Sequence, residues 1–162
     1  MNERIVHPGL MIKMLVDAGY KNTSYAVAEL VDNSIEAEAK NIEIVLFDKD
    51  VVNVRRSSRL SSVAVYDDGA GMAKDVLGKC LSFGWGTRLQ GATGLGKFGF
   101  GLKGASISQA KRIEIYSWQN PNEINKTYLD IDEVIDDGLD FLPEVEAVPL
   151  PSNLRCQLPK EL

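Results

Sequence analysis

The chain has 162 residues, 44% hydrophobic and 25% charged, which suits a single domain able to bury a core, alone or as the N-terminal lobe of a longer protein. A formal net charge of −5 excludes a broad phosphate-neutralising surface, so no direct nucleic-acid binding is expected, and the basic cluster Arg55, Arg56 and Arg59 reads as a solvated loop. The single histidine, His7, excludes Ser-His-Asp, Cys-His and histidine-metal chemistry, so any catalysis falls to carboxylates, amides and backbone.

Cys80 and Cys156 form no CxxC pair and read as reduced thiols of a cytoplasmic protein, nuclear in a eukaryote. No apolar run is long enough for a membrane span, and MNERIVHPGL carries no signal-peptide core.

In chain order, residues 8–18 predict a helix, with Pro8 early and Gly19 as its stop. Leu10 and Met14, with Met11 and Leu15, sit at helical spacing and are expected to face the core, or else a dimer surface. Asn22, Thr23 and Ser24 offer caps for a second helix over 24–38. Residues 42–47 and 62–67 read as strands, and the polar stretch 48–61 between them as a hairpin or loop. A short helix is expected over 73–81, a mobile, lid-like loop from 82 to 96–98, and a helix over 99–110. Residues 112–118 and 126–131 complete the strands; beyond 132 no element is predicted. The pattern implies an α+β sandwich with helices on one face of a mostly antiparallel sheet.

GLGKFGFGLKGAS, residues 94–106, packs five glycines into eleven positions from Gly94 to Gly104. GATGLGK matches a P-loop, except that Phe98 stands where the magnesium-binding Ser or Thr belongs. Gly94, Gly96 and Gly99 spell G-x-G-x-x-G, without the strand that should precede it. A third reading takes Gly96, Gly99 and Gly101 as a loop that runs into a helix, so that phosphate oxygens reach bare amides at the helix's positive end. A hinge without ligand is the bland alternative.

Two other segments bear on the choice. DDGAGM, residues 67–72, follows an apolar strand. There Asp67 suits the exocyclic amine of adenine, where guanine presents a carbonyl, and Gly69 and Gly71 would let a flat ring approach the backbone; a tight turn explains the same residues. In ELVDNSIEA, Ala26, Val27, Leu30, Val31 and Ile35 form an apolar surface, and Glu29, Asp32, Asn33 and Glu36 share the other face. Glu29 and Asn33 are one turn apart: a carboxylate to polarise water and an amide oxygen to join a magnesium shell, unless the face is merely solvated.

ELVDNS, then DDGAG, then a loop, then GLGKFGFGLKGAS resembles the GHKL ATPase superfamily across residues 24–108, and FGFGLKGAS resembles its MORC-type branch. That resemblance implies the Bergerat fold, a two-layer α/β sandwich with a mixed sheet, and Mg-ATP binding and slow hydrolysis under a closing lid. It makes Glu29 the general base, Asn33 the magnesium ligand, Asp67 the adenine-reading acid, and Gly69, Gly71 and Met72 the lining of the base. Thr93, Gly94, Leu95, Gly96, Lys97, Phe98, Gly99 and Gly101 match the phosphate loop; Lys103 would face the phosphates or lie on the helix surface, and Lys97 is a solvated lid residue or a ligand. Glu29 argues against a histidine-kinase module. Relatives of the gyrase, MutL and MORC kinds carry a second, transducer domain with a further phosphate-binding lysine, for which this chain has no room; nucleotide-dependent homodimerisation without productive hydrolysis is the alternative function.

Overall fold

A computed structural model of the chain describes residues 7–50, 58–83, 101–139 and 141–156. Helix α1 (Pro8–Ala18) begins at its proline, as expected. Helix α2 (Thr23–Glu36) takes Asn22 as its cap: the side chain accepts from Ser24 N at 2.8 Å. Strands β1 (Ile42–Asp50) and β2 (Ser58–Asp67) form an antiparallel ribbon, Ile42 opposite Asp67 and Asp50 opposite Ser58. Both strands therefore run into the polar stretch 48–61, expected as a hairpin or loop, and their antiparallel pairing to Asp50 and Ser58 is that of a hairpin. Polarity does not prevent this, because a two-stranded ribbon can solvate both faces. Arg59 lies in β2, while Arg55 and Arg56 lie outside the described residues.

The helix expected over 73–81 is one turn, α3 (Lys74–Leu77), followed by a turn through Ser82 and Phe83. Helix α4 spans Gly101–Gln109. Strands β3 (Arg112–Ser117) and β4 (Asn125–Asp130) pair antiparallel, and β4 also pairs with the two-residue β5 (Glu146–Ala147). Three elements occupy the region where none was predicted: α5 (Ile131–Asp136), β5 and α6 (Ser152–Arg155). The signal for α5 was Asp130, whose carboxylate accepts from Asp132 N at 3.0 Å and Glu133 N at 3.4 Å, ending β4 as it caps the helix.

The described strands make two antiparallel sheets, where one mixed sheet was expected. The reason lies after β2. Gly71 has φ +65°, and a Cβ there would collide with the carbonyl oxygen of Trp118. The chain turns out of the strand direction, and Met72 N donates to Ser117 Oγ at 2.7 Å, a side-chain tie in place of a ladder.

The core joins Ile12, Leu77, Leu81, Ile107, Ile113, Leu129 and Ile131, so it lies between α1, α4, α5, the α3 turn and the inner face of β3–β4. The outer face of β3–β4 carries a charged ladder: Arg112 to Asp130 at 3.1 Å and Lys126 to Glu114 at 3.0 Å. Helices thus cover one face of this sheet, as predicted. The stripe of α1 is corrected: Leu10 and Met14 are 61% and 71% exposed, and Ile12 is buried. Because α1 is apolar on more than one side, its pattern admits two stripes, and packing against α4 and α5 selects Ile12, Leu15 and Val16. On α2, Ile35 is likewise exposed and Ser34 is buried in its place.

Candidate functional site

Helix α2 carries the site. Its polar face exposes Asp32, Asn33 and Glu36, but Glu29 is half-buried against α4. Glu29 Oε2 lies 2.6 Å from where a Cβ on Gly101 would stand. The missing side chain at the first position of α4 is what lets the carboxylate sit there. The first amides of a helix lack intrahelical acceptors and form its positive end, so the Glu29 carboxylate lies beside that end of α4. Tyr20 adjoins it: burial, then hydrogen bonding to and the charge of Glu29, push its phenol above the ordinary value.

One turn on, Asn33 Nδ2 donates to the Glu29 carbonyl at 2.6 Å. The helix thus takes the amide nitrogen, leaving the amide oxygen as the group able to accept or ligate. No group of three or more His, Cys, Asp or Glu able to hold a metal occurs among the described residues. That donor set fits magnesium in the manner it usually takes, with one or two protein oxygens and the rest from phosphate and water.

The opposite face of α2 holds Asp67. Ser34 is 4% exposed, and its Oγ lies 3.0 Å from Asp67 Oδ2 and 3.2 Å from the Leu30 carbonyl; its single proton serves one acceptor at a time. Asp67 Oδ1 accepts from Gly69 N at 3.0 Å, so both oxygens are oriented while the residue stays exposed to a ligand. Glu29 and Ser34 are separated by about 7.5 Å of helix rise, which spaces the two acidic positions along one rigid element. Asp68 instead anchors the backbone. It accepts from Lys40 N at 2.7 Å and from Asn41 N and Nδ2, each at 2.8 Å, which fastens the turn to the α2–β1 connection. Bonds from Asn41 hold its carboxyl below the usual range, against a smaller effect of burial.

Gly69 and Gly71 lie in the turn as expected, and Met72 is half-buried against the core. Lys103 is 2% exposed, which removes the surface-lysine alternative, and its Nζ donates to the Ser82 carbonyl. Thr93, Gly94, Leu95, Gly96, Lys97, Phe98 and Gly99, and the lid beyond Phe83, lie outside the described residues. Tyr20, Ser34 and Gln109 were not singled out from sequence. Ser34 had a signal, since it falls on the apolar side of α2 at i+4 from Leu30 and i+8 from Ala26; Tyr20 had none. A groove of about 490 Å³ between Lys13, Val16, Ile107 and Ile135 is lined by Gln109 but by none of Glu29, Asn33, Ser34 and Asp67.

Residues 20–155 match the family model described as histidine kinase-, DNA gyrase B- and HSP90-like ATPase. The chain belongs to this family. It is a GHKL-type ATPase domain, and membership implies ATP binding and hydrolysis with magnesium, on a Bergerat fold. The GHKL domain is similar to Protein MICRORCHIDIA 3 of Arabidopsis thaliana, 32% identical over 82 residues, which is 51% of this chain and 13% of that protein. It is similar to the DNA mismatch repair protein MutL of Buchnera aphidicola subsp. Schizaphis graminum, 36% identical over 104 residues, 61% of this chain and 16% of the relative. MORC family CW-type zinc finger protein 3 of Mus musculus is 30% identical over 112 residues, covering 65% of this chain and 11% of the mouse protein. The domain is thus MORC-like, and the match spans under one fifth of these relatives. Among the described residues no helix is long and apolar enough to cross a membrane.

Proposed function

We propose that this GHKL domain binds ATP between the end of β2 and the start of α4, and hydrolyses it slowly with Glu29 as the general base. The observation that carries this reading is the Glu29 carboxylate against Gly101, at the positive end of α4. A terminal phosphate drawn to that end brings its phosphorus next to a base. Glu29 orients a water and takes its proton as the oxygen attacks phosphorus and the bond to the bridging oxygen breaks. The first amides of α4 face the charge that develops.

Asp67, held by Ser34 and Gly69, accepts from the exocyclic amine of adenine. Guanine presents a carbonyl at that edge, so ATP is preferred to GTP. The Asn33 amide oxygen is the protein ligand for magnesium, which when bound neutralises charge on the phosphates. Gly96, Gly99 and their neighbours complete the phosphate loop, and the segment from Ser82 to Phe98 closes over the nucleotide.

The test compares phosphate release by wild type and Glu29→Gln, with ATP binding measured separately. Turnover should fall about 10²–10⁴-fold while binding persists. Wild-type turnover in the variant would remove Glu29 from the chemistry.

The exposure of Leu10 and Met14 on α1 favours a second reading, in which nucleotide drives homodimerisation through that helix. Sedimentation with and without a nonhydrolysable ATP analogue decides it: a monomer in both conditions overturns it.

A further inference from the structure

We infer that Gln109, at the far end of α4, is the positioning residue that sets the Glu29 carboxylate over Gly101; this rests on the reading of Glu29 as the base. Helices α2 and α4 pack against each other and approach at two points that matter here. At one end Thr23 Oγ1 donates to Gln109 Oε1 at 2.7 Å. At the other, Glu29 Oε2 lies over Gly101. Thr23 precedes Glu29 while Gln109 follows Gly101, so the helices run antiparallel. The two points are about 9 Å apart along α2 and about 12 Å along α4. A slip of one helix against the other at the Gln109 end therefore moves Glu29 along the first turn of α4.

Gln109 has a second hold on the same corner. Its Nε2 donates to the Tyr20 carbonyl at 2.6 Å, and also lies 3.0 Å from Ser108 Oγ. Burial, and then the hydrogen bond with and the charge of Glu29, raise the Tyr20 phenol pKa. One amide thus grips the first residue of α2 through its oxygen and the residue leading into α2 through its nitrogen. The amide supplies both an acceptor and a donor here; leucine of similar size supplies neither. Gln109 is exposed, so replacing it opens no cavity and leaves the core contacts of α4 in place.

A residue that merely staples two helices would change stability, and would lower binding and turnover together as the fold loosens. A residue that aims a base changes the turnover number, because base and water must meet in a narrow geometry while ground-state binding of the nucleotide is made elsewhere.

The experiment measures kcat, KM, calorimetric ATP affinity and melting temperature for wild type, Gln109→Leu, Thr23→Val, Glu29→Gln and the Gln109→Leu/Glu29→Gln double variant. Gln109→Leu should lower kcat about tenfold, short of the ~100-fold that an ångström of misplacement costs, with KM and affinity near wild type. Thr23→Val removes one of the two holds without touching Gln109, and should lower kcat in the same direction by less. The double variant should be no slower than Glu29→Gln alone, because Gln109 acts through that carboxylate. Wild-type kcat in Gln109→Leu, or a further additive fall in the double variant, overturns the inference. If Glu29→Gln is slow but Gln109→Leu is normal, the inference alone falls. If Glu29→Gln turns over normally, the base assignment falls and takes the inference with it.

Discussion

Lys103 Nζ donates to the Ser82 carbonyl at 2.5 Å, from a side chain that is 2% exposed. A lysine in the first turn of α4 thus joins that helix to the turn that follows α3. Its stem is buried, and its charge is taken out of water. Burial lowers its pKa, and the nearby Cys80 sulfur, when ionised, opposes this.

Lys103→Ala should destabilise the domain by about 2–4 kcal/mol, through lost packing and an unpaired Ser82 carbonyl. Lys103→Met should cost less than Lys103→Ala, because it keeps the buried stem while leaving the same Ser82 carbonyl unpaired. Urea midpoints of the two variants check the order. The pH dependence has a definite sign. A lysine with a lowered folded pKa opposes folding while charged, so wild type should gain on Lys103→Met as pH rises from the lowered value towards the ordinary 10.5. A melting-temperature gap that stays constant across that range would contradict the buried charge.

Gly101→Ala should separate stability from activity. The new Cβ would meet Glu29 Oε2 at 2.6 Å, and that oxygen ends a flexible side chain able to move aside cheaply. Alanine at this helical position should leave stability unchanged or raise it by up to about 1 kcal/mol. The displaced carboxylate should lower turnover by about tenfold or more. Thermal melts beside phosphate-release assays read both effects, and unchanged turnover would mean the contact is incidental.

Gly71→Ala and Gly138→Ala make a matched pair. Both glycines have positive φ, +65° and +68°, so both substitutions carry the left-handed penalty of about 1–2 kcal/mol. A Cβ at Gly138 meets nothing within 4 Å, whereas at Gly71 it strikes the Trp118 backbone, which cannot yield without moving β3. Gly71→Ala should therefore cost at least about 2 kcal/mol more than Gly138→Ala in denaturant titrations.

The two cysteines should react differently. Burial pushes the Cys80 thiol from 9.0 up to about 11, with the Lys103 charge opposing the shift, while Cys156 is exposed. Iodoacetamide at pH ~8 should alkylate Cys156 alone in the native domain, and both after unfolding, as mass spectrometry would read. Two labels on the folded protein would contradict the burial. Because the folded pKa is raised, stability contributed by Cys80 is present below 9.0 and is lost as pH rises through about 11.

Sequence by itself determined the elements whose signals are local. The strands around Ile44, Val65, Ile113 and Leu129, the Pro8 start of α1 and the Asn22 cap of α2 follow from alternation, ring geometry and side-chain reach. The motif order that marks a GHKL domain was legible for the same reason: within each motif the spacings are short, Glu29 to Asn33, Asp67 to Gly71 and Gly94 to Gly104. Tertiary structure alone decided which apolar stripe of α1 is buried, because Leu10–Met14 and Ile12–Leu15–Val16 are both acceptable to an isolated helix and only contact with α4 and α5 separates them. It alone brought Ser34 to Asp67, Gln109 to Thr23 and Glu29 to Gly101, pairs 33, 86 and 72 residues apart in the chain. No local pattern encodes such meetings; they exist because folding packs α4 across α2 and turns the end of β2 under it.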